Sequence, residues 1–255
     1  MFFKAGNILL HGRFVGGWGE YGKRLFIYSP GARGNTLDSE VWIEPLEDKG
    51  YSTFSYDLRG MGKSKGSQLE FEKQIHDIKS AIDAATKKFE ERFKNPPNQV
   101  ILIGHSLGAV ASLTIGVQDP KVNLVFGLSS LYSIEDFAVE DNKENKNQSL
   151  TSPGKRILKK LKDTLSPPWW FKQFLSFVSK GQKITLMPKY YLTDELVKKV
   201  YLIHGTKDEY VPFEKSGKKI IEKYNLSKDR YLLVNAGHSL EDYLQEILEW
   251  IISKL

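Results

Sequence analysis

Residues 100–108 read VILIGHSLG, and residues 109–112 continue as AVAS. The apolar run before Gly104 predicts a buried strand, and the small residues after Gly108 predict a helix. A serine between a strand and a helix lies in a tight turn where bulky neighbours would collide. A glycine two residues away on each side fits that turn. We expect the turn to raise the Ser106 hydroxyl above the sheet and to direct the helix N-terminus at it.

The rest of the chain repeats the alternation of strand and helix. Short runs that are apolar on both faces predict six buried strands, at 24–29, 51–56, 99–104, 123–128, 199–204 and 230–235. Between them, periodic apolar positions predict helices at 38–49, 71–93, after Ser106, at 213–224 and at 240–255. This order predicts an α/β protein whose central sheet is mainly parallel and carries helices on both faces.

Residues 132–196 break the alternation, because no strand pattern occurs in them. They hold a polar run, a basic amphipathic helical pattern and the sequence PPWWF at 167–171. We predict a helical cap insertion at 132–196 between two parts of one core, residues 1–131 and 197–255. Four aromatic side chains of this insertion are candidates to line a substrate pocket or lid: Trp169, Trp170, Phe171 and Phe174. The alternative is that they only pack the cap against the sheet.

Composition excludes several kinds of chemistry. The 255 residues contain no cysteine, so a disulfide framework, a thiol nucleophile and a cysteine-bound metal are excluded. The five histidines lack metal-ligand spacing, and we expect neither a metal nor an organic cofactor. The net charge of +6 comes largely from residues 155–183. We therefore expect no nucleic-acid partner, and at most a weak membrane-surface contact through the basic cap.

The first residues contain only short apolar runs, and no window approaches the roughly 20 apolar residues of a membrane span. We find no secretory signal pattern and expect a cytoplasmic protein. The sequence does not indicate an oligomeric state.

Two further polar residues follow predicted strands. Asp208 comes after the strand at 199–204, and His238 comes after the strand at 230–235. Because the carboxyl ends of parallel strands meet at one edge of a sheet, Ser106, Asp208 and His238 are expected to lie together. A serine hydroxyl needs a base to take its proton, and a third group to orient that base. Glu209 is the adjacent rival for the acid, and a turn or capping role is the alternative for each residue.

These motifs together resemble the α/β-hydrolase superfamily over nearly the whole chain. The matching segments are 57–64 (DLRGMGKS), 104–108 (GHSLG), 204–212 (HGTKDEYVP) and 237–238 (GH). The first of them is similar to the DxRGxGxS pattern found in the serine aminopeptidase and monoacylglycerol-lipase-like branch. From the residues themselves we expect this segment to be structural and Arg59 to pair with a carboxylate. His105 is read as a packing residue, and His11, His76 and His204 receive no role.

The resemblance implies an oxyanion hole formed by the N–H groups of Ala32 and Leu107. Ala32 lies in the segment 29–36, SPGARGNT, where many relatives read HGxxGN, so Pro30 stands where histidine is usual. Its neighbour Arg33 is a candidate contact for an anionic part of a substrate, or else a solvated loop arginine.

The resemblance also implies acyl transfer from a small-molecule ester through an acyl-enzyme. We predict a serine carboxylester hydrolase for short- to medium-chain acyl esters, with monoacylglycerol or lysophospholipid as candidate substrates. An aminopeptidase or amidase is the alternative enzyme, because the same three residues serve both reactions. A ligand-binding protein on a hydrolase scaffold is the alternative outside enzymes.

Overall fold

The computed structural model describes residues 1–68, 70–133 and 186–255. In these residues eight strands form one sheet in the order β1-β2-β4-β3-β5-β6-β7-β8. The strands are β1 (Phe2–Ala5), β2 (Ile8–Val15), β3 (Arg24–Ser29), β4 (Ser52–Tyr56), β5 (Gln99–His105), β6 (Leu124–Leu128), β7 (Val200–Gly205) and β8 (Tyr231–Val234).

Strands β3 to β8 are parallel, which confirms the predicted sheet. Strand β5 lies between β3 and β6, so its carboxyl end is at the centre of the sheet edge. The register aligns Gly104 of β5 with Ser29 of β3 and with Gly127 of β6. The loops that follow these three strands therefore begin close together at the carboxyl edge of the sheet.

Strands β1 and β2 were not predicted from the sequence. They form an antiparallel hairpin at the edge of the sheet, and β2 pairs antiparallel with β4. The hairpin turns at Gly6, whose φ of +62° suits a residue without a Cβ. Exposed side chains alternate with buried ones along β1, so neither strand has the continuous apolar run that identified the others.

The described residues contain six α-helices. They are α1 (Thr36–Asp48), α2 (Phe71–Phe93), α3 (Leu107–Thr114), α4 (Pro188–Tyr191), α5 (Gly217–Lys223) and α6 (Leu244–Ile252). Helix α2 matches its prediction at both ends. Helix α1 begins before its predicted start, because the Asn35 side chain accepts hydrogen bonds from the backbone N–H groups of Leu37 and Asp38.

Helices cover both faces of the sheet, as predicted. On one face, Leu25 and Ile27 of β3 belong to the same buried cluster as Ile78 of α2 and Val110 of α3. On the other face, Phe26 and Tyr28 of β3 are buried with residues of α1 and α6, among them Trp42, Ile43 and Ile251. The side-chain period of two along β3 produces this division. The predicted cap and its boundaries at 132 and 196 are not tested, since residues 134–185 lie outside the described part of the chain.

Candidate active site

Ser106 lies at the turn between β5 and α3 with a φ of +53° and a ψ of −112°. A non-glycine residue at positive φ is uncommon, and such strain is maintained only where the surroundings determine the position. The backbone N–H of Ser106 donates to the carbonyl of Leu128 at 2.8 Å, which ties the turn to the neighbouring strand. The hydroxyl is thereby presented at the carboxyl edge of the sheet.

The two glycines of the turn are required by close backbone approaches. A Cβ on Gly108 would overlap the carbonyl oxygen of Ser29 and lie 2.6 Å from that of Pro30. A Cβ on Gly104 would overlap the carbonyl of Gly108 and lie 2.6 Å from the Ser112 hydroxyl. Helix α3 therefore packs directly on the loop that follows β3, and this contact fixes the position of Ser106.

The structure brings the three predicted residues together. His238 Nε2 lies 3.0 Å from Ser106 Oγ, and His238 Nδ1 lies 2.8 Å from Asp208 Oδ2. The carboxylate accepts the Nδ1 proton, so Nε2 is left as the acceptor for the serine hydroxyl. Asp208 follows β7 and His238 follows β8, as the sequence predicted.

Asp208 is held in the ionised state by its surroundings. Burial opposes ionisation, but the hydrogen bond from His238 and the N–H of Val211 outweigh it and lower the pKa of Asp208 below its ordinary value. Oδ1 accepts from the N–H groups of Tyr210 and Val211 at 3.0 and 2.8 Å. Glu209 is exposed and makes no hydrogen bond to His238. The structure thus places Asp208, and not Glu209, behind the imidazole.

The two predicted oxyanion donors are the backbone N–H groups of Leu107 and Ala32. Leu107 is the first residue of α3, so its N–H has no acceptor within the helix. Ala32 belongs to the loop after β3, and the preceding residue packs against the serine, since a Cβ on Gly31 would lie 3.5 Å from the Cβ of Ser106.

Asp57 anchors the loop that carries Ala32. Its carboxylate accepts the backbone N–H of Thr36 at 2.6 Å and that of Lys63 at 2.8 Å. His11 Nδ1 donates to the same carboxylate at 3.1 Å. Because Thr36 is the first residue of α1, Asp57 sets where the loop joins the helix. His11 received no role from the sequence, and it contributes this contact from the unpredicted strand β2.

The expected partner of Arg59 is confirmed. Its guanidinium donates to both oxygens of Asp77, from Nε at 2.8 Å and from Nη2 at 2.6 Å, and to Glu70 at 3.2 Å. Arg59 and Asp77 are both buried. The segment 57–64 is therefore structural, as its glycines and charges predicted.

Two further histidines support the site, and sequence reasoning missed both roles. His105 Nε2 donates to the carbonyl of His238 at 2.8 Å. Burial lowers the pKa of His105 to about 4, so its imidazole is neutral near pH 7. His204 Nε2 donates to the carbonyl of Val211 at 2.7 Å and lies 3.6 Å from Asp208. The only available signal was that both histidines come at the ends of predicted strands.

A cleft of about 520 Å³ opens beside Ser106. Its walls include residues from the ends of β3 and β5, from the loop after β3, from α1 and from the segment after β8, among them Tyr28, Ala32, Trp42, His105, His238 and Glu241. The cleft therefore leads from the serine hydroxyl toward the α1 face of the sheet. A molecule with a carbonyl group at Ser106 has room to extend into it.

The family model of Hydrolase_4, described as serine aminopeptidase, S33, matches residues 30–199, two thirds of the chain. The chain belongs to this family. It is a hydrolase family of the α/β-hydrolase superfamily, as the sequence motifs indicated. No curated protein sequence matches the chain significantly.

Solved structures show the same α/β-hydrolase fold. An esterase from Pyrococcus furiosus is 18% identical with a TM-score of 0.66, over 99% of this chain and 89% of that chain. Est1E from Butyrivibrio proteoclasticus, solved with ferulic acid bound, is 18% identical with a TM-score of 0.62, over 99% of both chains. Mouse alpha/beta hydrolase domain-containing protein 10 is 16% identical with a TM-score of 0.58, over 100% of this chain and 99% of that chain. At these identities the likeness establishes the fold.

The remaining site predictions for this α/β-hydrolase concern the predicted cap. Trp169, Trp170, Phe171 and Phe174 lie outside the described residues, as does the basic segment near 155–162. Within the residues that the structure describes, no group of three or more side chains is arranged to hold a metal ion. None of the described helices is long and apolar enough to cross a membrane.

Proposed function

We propose that this chain is a serine carboxylester hydrolase that acts on short- to medium-chain acyl esters. The observation that carries the proposal is the hydrogen-bonded line from Ser106 Oγ through His238 to Asp208, at 3.0 and 2.8 Å. The strained backbone of Ser106 and the cleft beside it support the same reading. Membership of a hydrolase family agrees with this chemistry.

The first half of the reaction forms an acyl-enzyme. Ser106 Oγ attacks the carbonyl carbon of the ester while its proton passes to His238 Nε2. The negative charge that develops on the carbonyl oxygen is stabilised by the N–H groups of Ala32 and Leu107. Asp208, ionised and hydrogen-bonded to Nδ1, stabilises the positive imidazolium. When the C–O bond breaks, the imidazolium returns its proton to the leaving alcohol.

The second half releases the acid. A water molecule replaces the alcohol, and His238 takes one of its protons as the oxygen attacks the acyl carbon. The same two N–H groups stabilise the second oxyanion. The imidazolium then protonates Ser106 Oγ as the acyl–oxygen bond breaks. The enzyme is regenerated without a metal or a redox step.

The predicted cap at 132–196 is part of this proposal. We expect its aromatic residues Trp169, Trp170, Phe171 and Phe174 to line the acyl pocket, and its basic helix to make a weak contact with a membrane surface. Monoacylglycerol and lysophospholipid fit an aromatic acyl pocket beside an exposed basic surface. Ferulic acid bound to Est1E supports a small ester ligand in this fold.

Amide or peptide hydrolysis is the second candidate, and the description of the matched family as serine aminopeptidase favours it. The two substrates differ in the leaving group, which is an amine in place of an alcohol. The same proton relay serves both. A ligand-binding role without turnover would leave the three residues in place but give no acyl-enzyme.

The deciding experiment compares p-nitrophenyl esters from acetate to palmitate with aminoacyl p-nitroanilides. We expect ester turnover with a maximum at short or medium chains and little turnover of the anilides. A fluorophosphonate should label the wild type and the Ser253→Ala control, and it should not label Ser106→Ala. Ser106→Ala should lower ester turnover on the order of 10⁶-fold. Folded wild-type protein that takes no label would favour the binding role instead.

A paired substitution tests the acid. Asp208→Asn leaves the size of the side chain unchanged but stabilises the wrong imidazole tautomer, and we expect kcat to fall about 10⁴-fold. The neighbouring Glu209→Gln is the matched control and should keep near-wild-type kcat. The reverse result would assign the acid to Glu209.

A further inference from the structure

The cleft beside Ser106 is lined by a tyrosine that the proposed reaction does not use. Tyr28 is only 3% exposed and lines the cleft. Its hydroxyl makes no hydrogen bond to any residue that the structure describes. The hydroxyl oxygen is not sealed from solvent, so a molecule bound in the cleft can contact it.

The ring of Tyr28 is held in place by aromatic stacking. It lies parallel to Trp42 at a centroid distance of 6.2 Å and an interplanar angle of 16°. Trp42 in turn stacks on His105 at 6.4 Å and 22°. His105 donates to the carbonyl of His238, so the stack is continuous with the catalytic loop. The hydroxyl is therefore a fixed feature of the cleft wall.

Two carboxylates line the same cleft. Asp38 is held by Asn35, whose side-chain amide and backbone N–H donate to Oδ2 at 2.7 and 3.2 Å. Glu241 forms no ion pair with any described residue. Burial raises the pKa of Tyr28, and the charges of Glu241 and Asp38 raise it further, so the phenol stays protonated and neutral.

The other ionisable groups that line the cleft are Arg33, His105 and His238. His105 is neutral near pH 7, because burial holds its pKa at about 4. Among the described residues that line the cleft, the two carboxylates of Asp38 and Glu241 outnumber the one guanidinium of Arg33. This balance disfavours the anionic substrate group that Arg33 alone would have indicated.

We propose that the cleft formed by Tyr28, Asp38 and Glu241 binds an ammonium-bearing leaving group of the ester that Ser106 attacks. The inference rests on the proposed function, and it names the substrate class. An ammonium group is attracted by the two carboxylates and by the partial negative charge on the phenol oxygen. The leaving alcohol must lie beside His238 to receive its proton, and Glu241 lies three residues after His238 in the wall of the same cleft.

The test uses two esters that differ in one atom. Butyrylcholine carries a quaternary nitrogen in the leaving group, and its carbon isostere has the same shape without the charge. We expect the wild type to hydrolyse the charged ester with about a fivefold higher kcat/KM, the size expected for one partly exposed charge pair. Glu241→Gln and Tyr28→Phe should each reduce that ratio toward one. Glu246→Gln, an exposed glutamate of α6 outside the cleft, is the matched control and should keep the ratio.

A second pair of esters places the ammonium group in the acyl chain. A preference confined to this pair would keep the ammonium site but overturn its assignment to the leaving group. A ratio of one for both pairs, or a preference for an anionic succinyl ester, would overturn the proposal. So would an unchanged ratio in Glu241→Gln.

Calorimetry separates this proposal from the proposed function. Ser106→Ala protein is titrated with butyrylcholine and with its carbon isostere, and we expect tighter binding of the charged ester. Adding Glu241→Gln should remove the difference. If the wild type hydrolyses no ester, the proposed function fails. The titrations still show whether the cleft binds an ammonium group. Equal binding of the two esters would reject the ammonium site even in an active enzyme.

Discussion

Acidification should destabilise the protein through His105, a residue that takes no part in the proton relay. Its imidazole lies against Trp42 and donates a hydrogen bond to the carbonyl of His238 at 2.8 Å. Burial lowers its pKa to about 4 in the folded chain, against 6.5 for an unperturbed histidine. Between these two values the unfolded chain binds the proton that the folded chain excludes, so stability rises with pH across this window and is lost as the pH falls through it.

The magnitude follows from the difference between the two pKa values. Each pKa unit corresponds to about 1.4 kcal/mol. Protonation of His105 therefore lowers the free energy of unfolding by at most about 3 kcal/mol once the pH has fallen below 4. Between pH 7 and pH 4.5 the resulting loss in the free energy of unfolding is roughly 2 kcal/mol. His204, whose pKa burial also lowers, adds a loss of the same sign. The effect of His105 must therefore be isolated by substitution.

The assay is urea unfolding of the wild type and of His105→Gln at several pH values from 7 to 4.5. Glutamine keeps an N–H donor for the carbonyl of His238 but does not titrate. We expect the wild type to lose roughly 2 kcal/mol more than the variant over this range. Parallel losses in the two proteins would show that His105 is not a buried neutral imidazole. A loss that is larger in the variant would reverse the sign of the argument.

Three other perturbations test the supports of the site. Gly108→Ala should destabilise the fold by several kcal/mol and abolish fluorophosphonate labelling, because its Cβ would overlap the carbonyl of Ser29; labelling at the wild-type rate would refute this. Arg59→Met should cost about 3–5 kcal/mol in urea unfolding by leaving Asp77 buried without its partner, and adding Asp77→Leu should recover much of that loss. Asp57→Ala should slow fluorophosphonate labelling of the protein that remains folded, because the loop after β3 loses an anchor. Equal labelling rates for the folded variant and the wild type would exclude that role.

The strands that place the site were predictable because they are buried on both faces. The predicted range 24–29 coincides with β3. For β4 to β8, no end of a predicted range differs from the observed end by more than one residue. Strands β1 and β2 were not predicted, since polar residues such as Lys4 and His11 interrupt their apolar runs. For a strand at the edge of a sheet, pairing by backbone hydrogen bonds leaves little signal in the side-chain pattern.

The positions of the three residues of the proposed relay were predictable for a different reason. Each follows a parallel strand, and topology alone brings such positions to one edge of the sheet. The distances were beyond the sequence, because they depend on how the loops after β7 and β8 fold. Asp208 is oriented by backbone N–H groups two and three residues later in its own loop.

The supporting histidines were not predictable, because their partners are distant in the chain. His105 contacts a backbone carbonyl 133 residues away, and His11 contacts a carboxylate 46 residues away. A histidine on an apolar strand has many uses, and neither spacing nor residue type distinguishes them. Only the packed structure identifies the acceptor.

The proposed oxyanion hole and the proposed base of this site are anchored by different residues. The loop that carries Ala32 is held by Asp57 through the N–H of Thr36, and the loop that carries His238 is held by His105 through a carbonyl. Neither anchor touches Ser106 Oγ, whose position is determined by the glycines of its own turn. Loss of Asp57 should therefore impair oxyanion stabilisation while the relay geometry survives. Loss of His105 should disturb the base while the loop after β3 remains in place, so the two classes of variant should differ in how pH affects their residual rates.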